Sequence, residues 1–182
     1  MFSKMSDTQK LAESLGKQVD VKDSEANAAV AILLYTGVDD LELLLVKRAV
    51  NPSDPWSGDM ALPGGRRHQK DKDVFETVVR ETREETGINL LLYEMLGHLQ
   101  TNTSNRSSSP VHILPFVFLC DRKPEIKLNT ELSRFLWIQL GTLKLSRGTS
   151  MVKGRETPCF LAMGEVVWGL TFRILSGLLD MI

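Results

Sequence analysis

Residues 64–88 read GGRRHQKDKDVFETVVRETREETGI, and they set Glu81, Glu84 and Glu85 within one and a half helical turns beside a short apolar stripe. Asp73 followed by Glu76 has the form of a capping box and Gly87 that of a stop, so a helix is predicted from Asp73 to Thr86. Projected at about 100° per residue, Val74, Phe75, Val78, Val79 and Thr82 form one apolar arc. Glu76, Arg80 and Arg83 fall on the other side and are expected to face water. Glu85 projects inside the apolar arc and Glu81 lies at its edge, with Glu84 one step further round. Pairs such as Glu76–Arg80 and Arg80–Glu84, at about 0.2–0.5 kcal/mol each, account for the outer charges. They do not account for two like charges turned toward a core, which desolvation would neutralise unless a cation compensates. Hard divalent ions take carboxylate oxygens, and Mg²⁺ combines one or two of them with phosphate and water. Of the two readings, a cation site is favoured over a surface charge network. The preceding Pro63, Gly64 and Gly65 would let the backbone come close to whatever the helix holds.

The bulk composition narrows the class. A chain of 182 residues, 42% hydrophobic and 25% charged, is most simply one soluble domain with a real core. A net charge of −1 leaves no basic footprint for nucleic acid and no polycationic face for a membrane. No apolar run approaches the length of a membrane span, and the N-terminus has neither a signal core nor a transit-peptide composition. Cys120 and Cys159 form no CxxC unit and are expected to be idle thiols in a reducing compartment. A cytoplasmic protein is the expectation.

Residues 1–26 are expected to be a weakly packed polar tail with one short helix around Thr8–Leu15, and residues 27–182 the domain. AAVAILLY and LELLLVKR, separated by TGVDD, predict a β-hairpin of buried strands. A loop punctuated by Pro52, Pro55, Gly58 and Pro63 leads to the helix. NLLLYEMLGHLQT, HILPFVFLC and RFLWIQL predict further strands, and TNTSNRSSSP a mobile polar loop. GEVVWGLTFRILSGLLDMI predicts one long amphipathic helix that packs on the core through Trp168, Leu170, Ile174, Leu175, Leu178 and Leu179; a homodimer contact is the lesser alternative. His68, His98 and His112 show no ligand spacing.

The stretch from Gly65 to Ile88 resembles the Nudix box, G-x5-E-x7-R-E-U-x-E-E-x-G-U with U apolar. Arg80-Glu81-Thr82-Arg83-Glu84-Glu85-Thr86-Gly87-Ile88 supplies its second half, with Thr82 in an apolar place. Gly65 lies one residue too far from Arg80. The first glutamate of the box is replaced, by Lys72 counted back from Arg80 or by Asp71 counted forward from Gly65. Arg48, Gly58, Pro63, Gly64 and Gly65, with VVWGLTFRIL near the other end, narrow the resemblance toward the coenzyme A diphosphatase branch. Leu62 departs from that branch's phenylalanine, and a second arginine is missing near Ser53 and Asp54. The resemblance spans about residues 27–180.

It implies an α/β fold, a Nudix-type α/β/α sandwich with a mixed β-sheet between helices. It also implies a Mg²⁺- or Mn²⁺-dependent hydrolase that cleaves the diphosphate linkage of a nucleoside diphosphate derivative. Glu81, Glu84 and Glu85 would be metal ligands, with the Gly64 carbonyl a further one, and Glu81 the candidate general base. Arg80 would orient the glutamates, while Gly64, Gly65 and Arg48 would meet the substrate. Trp56 and the loop Thr101–Pro110 are candidates for contact with the leaving group. The small-molecule substrate would be coenzyme A or a CoA ester. The alternatives are ADP-ribose, a nucleotide sugar or a dinucleotide, and, in another class, a non-catalytic Nudix-fold binding module.

Overall fold

The computed structural model of the chain describes residues 7–15, 25–54, 56–104 and 109–182. In chain order the strands are β1 (Ala28–Thr36), β2 (Leu41–Arg48), β3 (Met60–Ala61), β4 (Gly64–Arg66), β5 (Glu94–His98), β6 (Asn102–Ser104), β7 (Val111–Cys120), β8 (Leu132–Gln139), β9 (Arg147–Val152), β10 (Arg155–Ala162) and β11 (Glu165–Trp168). The helices are α1 (Asp7–Ser14), α2 (Val74–Thr86), α3 (Leu140–Leu145) and α4 (Gly169–Leu179). The large sheet runs β3-β2-β1-β7-β5, with β4 added to β1, β6 to β7 and β8 to β2. β1 and β7 are parallel and the other pairs antiparallel, so the sheet is mixed.

Both faces of β1 are covered, which is why it reads as a continuous apolar run. Ala29, Ala31 and Leu33 pack under α2 with Val74, Val78, Phe116 and Phe118. Ile32 and Leu34 face the opposite layer, where Leu11, Phe160, Ile174, Leu175, Leu178 and Leu179 are buried. The result is the expected sandwich of a mixed sheet between helices. Among the described residues, no helix is long and apolar enough to cross a membrane.

Four local expectations are corrected. Within the stretch expected to pack weakly, Leu11 on the short helix and Leu15 just past its end are buried in the core; the rest of 1–26 lies largely outside the described residues. Asn89 caps a 3₁₀ turn over Leu90–Leu92, so the strand there begins only at Glu94. Asn102–Ser104, expected in a loop, pairs with Val111–Ile113, and residues 105–108 lie outside the described ones. The long C-terminal helix is instead a strand followed by a helix, broken at Gly169, whose φ of 64° is left-handed. That strand closes a second sheet, β11-β10-β9, which the sequence reading did not foresee.

Candidate active site

α2 begins where its sequence says it should. Asp73 Oδ1 accepts the Glu76 amide at 2.8 Å, but Glu76 reaches back one residue further than a reciprocal box requires, accepting from Lys72 N–H at 2.6 Å. Gly87, at φ 74°, donates its N–H to the Arg83 carbonyl and ends the helix. Val74 and Val78 are buried and Phe75 meets Phe116 edge-on at 5.6 Å, so the apolar arc docks as projected. Docking carries Glu85 inward, where it is 4% exposed.

The two glycines exist because of what they touch. Gly64 pairs with Val30 at φ 140°, and a Cβ there would stand 2.3 Å from the Ala29 carbonyl oxygen. Its N–H donates to Glu85 Oε2 at 2.8 Å, which ties the helix to the edge of the sheet. A Cβ on Gly65 would stand 2.6 Å from the Glu81 carboxyl carbon. One glycine therefore admits a backbone and the other a carboxylate.

Arg80 does not face water as its projection suggests. Its guanidinium meets Asp71 through both ends, Nε to Oδ1 at 3.0 Å and Nη2 to Oδ2 at 2.8 Å. Nη1 holds Glu81 Oε1 at 2.8 Å and Glu84 Oε2 at 3.1 Å. Asp71 is itself buried, and Oδ2 also accepts from His68 N–H at 2.9 Å and Thr77 Oγ1 at 3.0 Å. The Arg80 hydrogen bonds hold the Asp71 carboxyl well below the usual carboxylate range, against the opposing effect of burial. Asp71 thus fills the place of the missing box glutamate as the anchor of Arg80. Counting forward from Gly65 pointed at it; a helical projection could not, because Asp71 precedes the helix.

Gly64, Gly65, Glu81, Glu85 and Arg48 line one cavity of about 330 Å³, together with Glu131, Arg66, Trp56 and Trp168. Burial pushes the Glu85 carboxyl up to about 7, with the Gly64 N–H opposing and the Glu81 charge adding to the rise. Burial also raises Glu81; Arg80 opposes, and Glu84 and Glu131 add to the rise. Arg48 Nε is bonded to Asp54 Oδ2 at 2.8 Å, so an aspartate's pairing with Arg48 occupies the region where a second arginine was expected. Glu84 is apart from the other two: its side chain is 57% exposed and turned to Arg80. Among the described residues no three acidic, histidine or cysteine side chains already converge on one point. The donor chemistry nevertheless fits a hard divalent ion, because Glu81 and Glu85 crowd one cavity wall and the charge of Glu81 adds to the rise of Glu85. Glu131 comes from a distant segment with no local pattern; Arg66 stands beside Gly65 but no spacing marks it as a site residue, and Trp168, expected to pack the last helix on the core, lines the cavity instead.

The NUDIX domain model matches residues 26–153. Nudix hydrolase 22 of Arabidopsis thaliana is 38% identical over 98 residues, which is 53% of this chain and only 31% of that protein's length. The human mitochondrial coenzyme A diphosphatase NUDT8 is 28% identical over 163 residues, covering 86% of this chain and 69% of its own. The solved NUDIX domain of Shewanella oneidensis NrtR, a complex with ADP ribose, superposes with a TM-score of 0.53 at 18% identity over 97% of this chain and 96% of that one. The chain spans about a third of the length of the first curated relatives it matches. By the match across most of its length and by this fold, the chain belongs to the Nudix family.

Proposed function

We propose that the chain is a divalent-metal-dependent hydrolase that cleaves the diphosphate linkage of a nucleoside diphosphate derivative, with coenzyme A or a CoA ester as substrate. One observation carries the reaction class. The box helix is tied through Glu85 and Gly64 to the sheet edge at the rim of a cavity, with Glu81 held beside it by Arg80. Glu81, Glu84, Glu85 and the Gly64 carbonyl would hold Mg²⁺ or Mn²⁺, which supplies Lewis-acid polarisation of the diphosphate oxygens.

The chain's own groups do the rest. Arg80, anchored on Asp71, holds Glu81 at the cavity wall and pairs with the more exposed Glu84 one turn along the helix. Glu81, raised by burial and with Oε1 held by Arg80, is the candidate to take the proton of the attacking water. Arg48 at the cavity wall is placed to meet a phosphate oxygen, with Asp54 fixing its guanidinium. The choice of CoA is supported by the upstream residues around Arg48 and Gly58 and by the likeness to the human diphosphatase. A cytoplasmic, reducing setting belongs to the same proposal and agrees with two free, buried cysteines.

The test is a panel of CoA, acetyl-CoA, ADP-ribose, a nucleotide sugar and a dinucleotide, each incubated with Mg²⁺ or Mn²⁺ and read by product mass. Release of 4′-phosphopantetheine and a 3′,5′-phosphorylated adenosine is the expected result. Cleavage of ADP-ribose but not CoA would overturn the substrate and keep the reaction, and binding without cleavage would leave a recognition module.

A further inference from the structure

Two groups of residues of opposite chemistry line the cavity. Glu81, Glu85 and Glu131 are one. Val30, Val111, Ile113 and Leu170 form an apolar cluster that is the other. Strand register fixes how close the two groups lie. Val30 pairs with Gly64 and Ala28 with Arg66, so the apolar wall begins one strand spacing, about 4.8 Å, from the glycines that Glu81 and Glu85 touch. A diphosphate held at the carboxylates therefore sets the first atoms of one substituent against this wall.

Polar groups on that side are few and mostly engaged. Thr171 Oγ1 donates to the Met60 carbonyl at 3.1 Å, and Trp168 Nε1 donates to Asp59 Oδ1 at 3.1 Å. The buried Ser104 hydroxyl remains, together with the exposed Arg66, which pairs with Ala28 at the edge of the wall. A polyhydroxylated ring pressed here would bury hydroxyls without partners, and a nucleobase would find little to read its edges. A branched aliphatic segment meets neither cost.

We propose that this wall is the subsite for the X half of the substrate, and that it selects a diphosphate ester whose X group carries a branched, dimethyl-bearing carbon one methylene from the ester oxygen, as the pantetheine arm of CoA does. ADP-ribose and nucleotide sugars, whose X group is a polyol, are disfavoured by the same wall. The inference rests on the hydrolase reading above for its chemistry. Val30, Val111 and Ile113 lie within the stretch that matches the NUDIX domain but outside the box, and Leu170 and Ile174 come from beyond residue 153, so no residue of the wall belongs to the box itself.

Two half-buried positions test it, Leu170→Ser and the isosteric Val30→Thr, each first checked for an unchanged unfolding transition. kcat/KM is measured on CoA and on ADP-ribose, which share their ADP portion, and calorimetry follows the binding of 4′-phosphopantetheine and of AMP. The CoA to ADP-ribose ratio should fall about tenfold, with 4′-phosphopantetheine affinity falling by a similar factor and AMP affinity held. Equal losses on both substrates, or weakened AMP with 4′-phosphopantetheine unchanged, would place the shared adenosine on the wall and overturn the proposal. So would an unchanged ratio in both folded variants. If the wild type hydrolysed none of these diphosphates, the hydrolase reading would fall, and the two ligands' binding would still decide the subsite.

Discussion

Replacing Asp71 by Asn removes one charge from a buried site and keeps its shape. The side chain is 6% exposed and its two oxygens take four donors: Arg80 Nε and Nη2, His68 N–H and Thr77 Oγ1. An asparagine oxygen can serve His68 and Thr77, but its amide then confronts the Arg80 Nε–H with a donor. The loss is the Nε hydrogen bond and the charge opposite Nη2, whose bond ends on the same oxygen as those of His68 and Thr77, offset by the water that reaches Arg80, which is 29% exposed. About 3 kcal/mol is the expected destabilisation, near the lower end for breaking a buried pair. For a chain of this size that lowers Tm by roughly 6–12 °C. Because the folded pKa of Asp71 lies below the unfolded value of about 3.9, its contribution is fully present above about pH 4 and is lost as pH falls through the folded value. Paired thermal and urea denaturation should therefore show a constant gap from about pH 8 to about pH 5 that closes in more acidic solution. Freed from Asp71, Arg80 holds Glu81 and Glu84 less firmly, and Mn²⁺ affinity measured by calorimetry should weaken about 10- to 100-fold. A gap under about 1 kcal/mol together with unchanged Mn²⁺ affinity would refute Asp71 as the anchor of the arginine.

The two glycines should separate cleanly. Gly65→Ala displaces only the end of Glu81, so turnover should drop at least about tenfold with little change in Tm, whereas Gly64→Ala strikes the Ala29 carbonyl at a left-handed φ and should cost several kcal/mol by denaturation. Glu85→Gln should keep the fold, abolish most diphosphatase turnover and erase the rise in Tm that Mn²⁺ produces in the wild type; a preserved rise would take Glu85 out of the cation site. Leu11→Ala should destabilise by about 2–5 kcal/mol in urea denaturation, because that fully buried side chain belongs to the core rather than to a loose tail.

What the sequence could and could not disclose follows from where each interaction partner comes from. β1 and β2 were legible because a strand covered on both faces must be apolar throughout. The box helix was legible because cap, stop and apolar arc are all local to it. Arg80 was misplaced by projection, since a helical wheel knows nothing of Asp71, which precedes the helix and folds back beside it. β9 alternates between exposed and half-buried positions and β10 is mostly exposed in its first half, with Pro158 mid-strand, so neither a long buried run nor a helical period marks them. Gly169 is the one local sign that VVW and LTFRIL are different elements, and a lone glycine within an apolar stretch does not by itself end a helix. Glu131 and Trp168 both lie far along the chain from the box, and only the tertiary fold brings them to the same cavity.

The helix from Gly169 to Leu179 has a double allegiance with consequences for how such an enzyme can diversify. Its first turns face the cavity through Leu170, Thr171 and Ile174, while Leu175, Leu178 and Leu179 are fully buried in the core. Retargeting and structural integrity are thus written a turn apart on one element. Substitutions confined to the opening turn can redraw what the enzyme accepts without reaching the carboxylates, whereas drift in the following turn is felt first as lost solubility and yield. A library built to exchange substrates would accordingly vary positions 170 and 171 and leave the rest of the helix alone.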